Sequence, residues 1–327
     1  MSYGPPFPDG LTHDADKQRY FGTDSYFLES YEQLGELTGD AVEFAAGHAL
    51  LLLKPDAIAS RSVGPVLDWV RASGFRIVAA RRFRMTRGAV RAMWHYQLNR
   101  ATPARCRLAD ALCQASDSLV LLLDAPAGGS VPPSVALSHR KGPADPARRH
   151  PDQLRSRLGN FGFLLNLVHA SDEPADVLRE LGILLDADER RQLVQQALAG
   201  TAERRALAGV TLPGADRHHA AAALADQLYA EIPAQDLRFA PAAARLAAAA
   251  EALDLPPGPR AELRACLDAA DWGGLVELIW RSGLPLTGWD LTIVGCGSLP
   301  LSRPEYAQLL RGTDISRWRE PADAALS

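Results

Sequence analysis

The feature that most constrains the fold is a series of short apolar runs in the first half of the chain. The run at residues 48–54, HALLLLK, is continuous in apolar residues, which is typical of a buried strand. Strands are also predicted over residues 75–83, 118–124 and 165–169. The spacing between these runs leaves room for helices, so a mixed α and β fold is indicated.

Helical patterns separate the predicted strands. Val63, Val66 and Val70 recur at helical spacing, and Gly74 follows where helix C-termini prefer glycine. Further helices are predicted over residues 86–98, 103–115 and 174–185. Four strands with helices on one side predict an α+β fold, a ferredoxin-like αβ sandwich, over residues 46–186.

The flanking regions have a different texture. Residues 1–45 are predicted to form an N-terminal arm with a helix near 25–36, whose aromatic residues either pack onto the main domain or contribute to a ligand site or subunit contact. Residues 187–327 are rich in alanine and predict a helical domain of about five helices, with one strand at Leu291–Val294. Residues 125–163 are predicted to be irregular, and so long a loop is unusual unless it is functional.

Composition excludes several classes of protein. The chain has 35 Lys and Arg against 39 Asp and Glu, a net charge of −4, so nothing pulls it as a whole toward nucleic acid or a membrane surface. Four cysteines without a CxxC pair indicate neither a zinc knuckle nor a disulfide framework, and favour a cytoplasmic protein. The apolar runs are too short to span a bilayer.

One loop is strongly basic despite the acidic net charge. Only Asp145 and Asp152 offset its cations, so it is the obvious candidate for binding an anion, although a solvated basic loop stays an open alternative. Its basic residues are Arg140, Lys141, Arg148, Arg149, His150, Arg155 and Arg157.

His169 follows this loop at the end of a predicted strand. A histidine in that place is commonly structural, but a nucleophilic histidine needs one free ring nitrogen and a partner that fixes the other. Glu180, on the next predicted helix, is a candidate for that partner. Lys54 ends the first strand in Lys-Pro-Asp, which puts a cation at the carboxyl end of a strand, where phosphate-binding groups often lie.

Taken together, these motifs resemble the nucleoside diphosphate kinase family. The resemblance is carried by LLLLKPDAI, by SVGPVLDWVRASGFRIVAARRFRMT followed by HY, by GPAD followed by an LR pair, and by NLVHASD followed by Glu180. It covers about 140 residues in the family's order and spacing, and the conjunction is far more specific than any single piece.

The resemblance implies a role for each matching residue. It makes His169 the nucleophile of a ping-pong transfer and Glu180 its orienting partner. It places Lys54, Tyr96 and Asn166 near phosphate, ribose or the histidine, and Arg155 on phosphate. It also implies Mg²⁺ bound with ATP or another nucleoside triphosphate, carried by the nucleotide phosphates rather than by protein ligands. A homo-oligomer is common in the family.

The nucleotide-binding residues depart from the family pattern. Ala104 stands where the family has a base-stacking ring, while Leu108 keeps the other apolar wall. Lys141 replaces a phosphate-binding threonine of the family. Together with Arg140, it is a candidate for restoring positive charge that this chain lacks relative to the family. We therefore expect a phosphotransferase that passes the γ-phosphoryl group through His169 to a diphosphate or a specialised acceptor. The alternative is a catalytically degenerate nucleotide-binding or scaffolding module of the same fold.

Overall fold

The computed structural model describes residues 7–125, 129, 131–206, 217–310 and 312–319. Its centre is one four-stranded sheet in the order β2-β3-β1-β4, with every neighbouring pair antiparallel. The strands are β1 (His48–Leu53), β2 (Arg76–Phe83), β3 (Ser118–Asp124) and β4 (Val168–Ala170). This order and the intervening helices confirm the predicted ferredoxin-like class.

The helices of the central region agree with the predicted ones and add several more. The predicted helix over residues 86–98 is shorter than expected. The stretch over residues 125–163, predicted to be irregular, contains two α-helices and a 3₁₀ turn among its described residues. The helices are α4 (Pro55–Ala59), α5 (Val63–Ala72), α6 (Arg87–Met93), α7 (Pro103–Cys113), α8 (Pro133–Lys141), α9 (Leu154–Arg157) and α10 (Pro174–Leu184).

The N-terminal arm forms three helices rather than one. They are α1 (Ala15–Phe21), α2 (Ser25–Thr38) and α3 (Ala41–Gly47). Each begins after an aspartate whose carboxylate accepts two backbone N–H groups, which satisfies donors that a helix start leaves unpaired. The arm aromatics Phe21 and Phe27 are buried in the core, in agreement with the packing interpretation.

The C-terminal region is helical, as predicted. Its helices are α11 (Ala187–Ala206), α12 (His218–Glu231), α13 (Phe239–Glu251), α14 (Pro257–Asp268), α15 (Trp272–Ser282) and α16 (Trp289–Ser298). The strand predicted at Leu291–Val294 is wrong, because those residues lie within α16. Residues 207–216 and 320–327 of the predicted helical domain lie outside the described residues.

Helices cover both faces of the sheet, not one as predicted. The physical reason is that β1 and β3 are apolar on both faces, so each face has to be covered by helices. Leu50 and Leu52 pack with the arm, α10 and α11, whereas Leu51 and Leu53 pack with α5, α7 and the last C-terminal helices. Since all three regions share these cores, the division at residues 45 and 186 stays a prediction.

No helix among the described residues is both long enough and apolar enough to cross a membrane.

Candidate active site

His169 lies in the middle of β4, which is an edge strand. It is paired with Leu52 of β1, so its side chain projects from the sheet face that α10 covers. The ring of Trp94, just after α6, meets the imidazole edge-on with the ring centroids 5.7 Å apart. The His169 side chain is 16% exposed. It is therefore sheltered from bulk water but still accessible to a small ligand.

Glu180 holds one nitrogen of His169. Its Oε1 lies 2.8 Å from His169 Nε2, and its Oε2 accepts a hydrogen bond of 2.7 Å from Ser171 Oγ. Glu180 itself is buried on α10. With Nε2 donating to the carboxylate, Nδ1 carries the lone pair, and no residue of the described part of the chain forms a hydrogen bond to Nδ1. The arrangement orients the imidazole and leaves the Nδ1 lone pair available.

The backbone just before His169 turns tightly. Leu167 has a φ of 66°, unusual for a residue with a side chain, and the Val168 N–H donates to the Asn166 carbonyl at 2.7 Å. The carboxylate of Asp56, fully buried, accepts from the Leu167 N–H at 3.0 Å. This turn delivers the chain into β4 and so fixes where His169 begins to project.

Lys54 is the cation on the other side of the same turn. Its ammonium lies 3.3 Å from Asp56 Oδ2 and donates to the Leu164 carbonyl at 2.8 Å. The side chain is buried. The Lys-Pro-Asp motif is thus an internal ion pair that clamps the loop before His169, so a ligand phosphate would have to share the lysine with Asp56.

Two further predicted cations, Arg155 and Lys141, lie buried against β4. Arg155 donates to the Val168 carbonyl at 3.2 Å and to the Gly142 carbonyl at 2.9 Å, and burial lowers its pKa to about 9. Lys141 donates to the Ala170 carbonyl at 3.3 Å, and burial lowers its pKa as well. Arg155 therefore stays positive at neutral pH, and the two side chains flank His169 from the backbone side.

The carboxylate of Asp172 offsets part of that positive charge. Its carboxylate accepts from Ser138 and lies 3.5 Å from the Lys141 ammonium. Burial acts to raise the pKa of Asp172, but the charges of Lys141 and Lys17 outweigh it and hold the pKa below its usual range. The positive field at His169 is therefore smaller than the basic loop predicts.

Tyr96 is tied to the arm. Its hydroxyl donates to Asp24 Oδ2 at 3.1 Å, and the same oxygen accepts from Arg179 Nε at 2.7 Å. Burial, followed by the Asp24 charge, raises the pKa of Tyr96 to about 12. The phenol is neutral and partnered, and its ring lies 5.2 Å from that of Tyr20.

The remaining predicted residues divide between the site and its surroundings. Asn166 donates to the Phe163 carbonyl at 2.8 Å and so braces the loop that leads to His169. Arg140 instead donates to the Ser73 carbonyl at 2.8 Å, at the end of α5, and does not join the residues around His169.

Leu108 is covered by the C-terminal region. It is buried, and a Cβ added at Gly295 of α16 would lie 2.7 Å from its Cδ2. Glycine at position 295 therefore permits the close approach of the two helices. The apolar wall that the sequence predicts for a nucleobase is occupied by the chain's own helix, while Ala104 beside it is partly buried.

Both added regions reach the segment that follows His169. From the arm, Lys17 donates to Glu173 at 2.8 Å and to Asp176 at 2.7 Å. From the C-terminal end, Trp318 Nε1 donates to Glu173 at 3.1 Å. The sequence did not predict these contacts, nor those of Asp24 and Trp94, because each joins residues far apart along the chain.

In the described ranges, no group of three or more His, Cys, Asp or Glu side chains is arranged to hold a metal ion.

The central region of the chain is similar in sequence to known proteins. Residues 47–190 match the sequence profile described as "Nucleoside diphosphate kinase". The nucleoside diphosphate kinase of Desulfovibrio desulfuricans is 30% identical over 138 residues, which are 42% of this chain and 93% of that protein. The enzyme of that name from Thermoplasma acidophilum is 27% identical over 140 residues, 43% of this chain and 88% of that protein.

Among solved structures, the nucleoside diphosphate kinase of Aquifex aeolicus is similar at 23% identity with a TM-score of 0.37, covering 44% of this chain and 97% of that one. The sequence matches span nearly the whole length of the relatives, whereas this chain continues well beyond them at both ends. With its additional N-terminal and C-terminal regions, the chain belongs to the nucleoside diphosphate kinase family.

Proposed function

We propose that this protein is a phosphotransferase that takes the γ-phosphoryl group of a nucleoside triphosphate onto Nδ1 of His169 and passes it to a second substrate. Membership of the family supports nucleotide phosphotransfer in general. The single observation that carries the finer proposal is the Glu180–His169 pair. A carboxylate 2.8 Å from Nε2 fixes the tautomer in which Nδ1 holds a lone pair.

The first half-reaction follows from that tautomer. The Nδ1 lone pair forms a bond to the γ-phosphorus of MgATP, the bond from that phosphorus to the bridging oxygen breaks, and ADP leaves with the electron pair. The Nε2 proton stays between the ring and Glu180, whose negative charge offsets the positive charge that develops on the imidazole. Magnesium enters with the substrate phosphates.

In the second half-reaction an oxygen of the acceptor attacks the phosphorus and the N–P bond breaks, which returns the lone pair to Nδ1. Arg155 and Lys141 support both steps at a distance, because their buried charges lie on the carbonyls of residues 168 and 170, on either side of His169. They favour the developing negative charge on the phosphoryl oxygens.

A second candidate function is a degenerate nucleotide-binding or scaffolding module. It is favoured by the internal partners of Lys54 and by the burial of Leu108 under α16, both of which reduce the room for a nucleotide. It does not account for an oriented histidine with an unpartnered ring nitrogen, because a scaffold has no physical need for one.

One experiment distinguishes the phosphotransferase from the nucleotide-binding or scaffolding module. The full chain is incubated with ATP labelled on its γ-phosphate, and His169→Ala is compared with His139→Ala, which removes an exposed histidine from α8. The phosphotransferase predicts an acid-labile, base-stable label that is absent only in His169→Ala. Absence of label in the wild type, with nucleotide-dependent thermal stabilisation retained, would establish the module instead.

A further inference from the structure

Two arginines near the start of α7 have no acidic partner. Arg100 ends the 3₁₀ turn Leu98–Arg100, and Arg105 lies in the first turn of α7. Throughout the described part of the chain, neither guanidinium forms an ion pair or a hydrogen bond. This sets them apart from Arg91 nearby, which is paired with Asp110 at 2.6 Å.

Arg105 lies over an aromatic ring. Its guanidinium carbon is 4.8 Å from the centroid of Phe163, and both side chains are half-buried. Burial lowers the pKa of Arg105, and the nearby charge of Arg100 acts in the same direction. Two like charges that influence each other in a half-buried site cost free energy that a bound anion would recover.

Arg100 shows a second sign of an absent acceptor. Its Nε is buried and has no hydrogen-bond partner among the described residues, a state that native structures rarely tolerate without a reason. The C-terminal segment fixes this residue in place, since the Arg303 N–H donates to the Arg100 carbonyl at 2.7 Å and Ser302 forms an isolated bridge with Ala101. These contacts fix the backbone from which the Arg100 side chain extends.

The pair adjoins the candidate active site through one loop. The carbonyl of Phe163, which carries the ring under Arg105, accepts from Asn166, and the next carbonyl, that of Leu164, accepts from Lys54. The loop then continues directly into β4 and His169. A ligand that contacts both Arg105 and Lys54 therefore lies beside the loop at residues 163–166, which continues into β4.

We propose that Arg100 and Arg105 bind a phosphate or carboxylate group of the substrate, at the end remote from the phosphoryl group that His169 transfers. The planar guanidinium fork suits the bidentate oxygens of either group. The identity of the ligand as a substrate rests on the proposed function. The expected ligand is a small molecule that carries a second anionic group. That group is recognised in the region where α16 packs against Leu108 and covers its apolar surface.

The test measures binding without catalysis. Inorganic pyrophosphate is titrated calorimetrically into the full chain carrying His169→Ala, so that no phosphoryl transfer contributes. Adding Arg105→Gln or Arg100→Gln is expected to weaken pyrophosphate binding about tenfold or more, as for the loss of a charge-assisted hydrogen bond. Arg107→Gln is the matched control, because Arg107 lies on the same helix and is exposed, with its guanidinium carbon 4.4 Å from the ring centroid of Trp280.

Equal affinities in the Arg105→Gln, Arg100→Gln and Arg107→Gln proteins would overturn the proposal, as would failure of the parent protein to bind pyrophosphate. Arg100→Gln removes no ring contact, so it tests the site even if Arg105→Gln does not fold. A parallel titration with ATP separates the sources: weaker ATP binding in the same variants assigns the group to the donor, and unchanged ATP binding assigns it to the acceptor. Failure to label His169 would refute the proposed function but leave these affinities, and the site, unaffected.

Discussion

Glu180→Gln isolates the charge that the mechanism assigns to Glu180. Glutamine has nearly the same shape, so its amide oxygen can still accept from His169 Nε2 while its NH₂ group donates to Ser171 Oγ. The geometry at 2.8 Å and 2.7 Å is therefore retained, and only the negative charge opposite the imidazole is lost. Because Glu180 is buried, water screens its charge only weakly, and the imidazole therefore feels the loss of that charge strongly.

A hydrogen bond to a charged group contributes about 1.5–3 kcal/mol. A neutral hydrogen bond contributes about 0.5–1.5 kcal/mol, so losing the charge while keeping the bond costs about 1–1.5 kcal/mol. At about 1.4 kcal/mol for each factor of ten, phosphorylation of His169 should slow roughly 5- to 12-fold in Glu180→Gln. Ser171→Ala removes one donor to the same carboxylate but leaves its negative charge and its contact with His169, and should slow the step less than Glu180→Gln does. The order of the two variants follows from charge alone.

The assay is single-turnover phosphorylation under rapid quench, with MgATP in excess and the dissociation constant of ATP measured separately. We expect the rate to fall while ATP affinity changes less than about twofold, because no hydrogen bond of the described residues joins Glu180 to a residue that we propose binds the nucleotide. A wild-type rate in Glu180→Gln would refute the reasoning. A slow rate that returns to the wild-type value at higher ATP concentrations would also refute the reasoning.

Three further predictions concern residues around the site. Lys54→Met should lower the free energy of unfolding by about 3–5 kcal/mol in urea titrations, because it leaves the Asp56 carboxylate buried and unpaired; an unchanged midpoint would contradict this. Tyr96→Phe should remove one late-ionising phenol from an absorbance titration. Since the pKa of Tyr96 is raised to about 12 from 10.0, its contribution to stability should be lost as pH rises between these values, so the variant should lose less stability over this range than the wild type. Gly295→Ala should destabilise the protein by about 1–3 kcal/mol through contact with Leu108, and Leu108→Ala should relieve the clash; additive losses would refute the packing argument.

Local sequence patterns were sufficient for the sheet and for the His169–Glu180 pair. A short strand, a tight turn and a helix fix the relation of two residues eleven positions apart, so the pair could be predicted without tertiary information. The motif with Lys54 was also readable, because Asp56 is only two residues away. What the motif did not reveal is that the lysine bonds internally to the loop before β4.

Contacts between distant segments could not be predicted. Asp24 accepts from Tyr96 and Arg179, 72 and 155 residues away, and no pattern in a single sequence marks such a triad. The mistaken strand at Leu291–Val294 has a similar cause. Those residues are apolar and partly β-branched, which favours a strand locally, but α16 is buried over most of its length and tertiary packing overrides the preference.

The most direct test of the central claim is the position of the phosphoryl group on the imidazole. Proton–phosphorus correlation by NMR on protein phosphorylated with MgATP and unfolded in base distinguishes the Nδ1 isomer from the Nε2 isomer. With Glu180 on Nε2, the account predicts phosphate on Nδ1 of His169. Phosphate on Nε2, or on another residue, would contradict it.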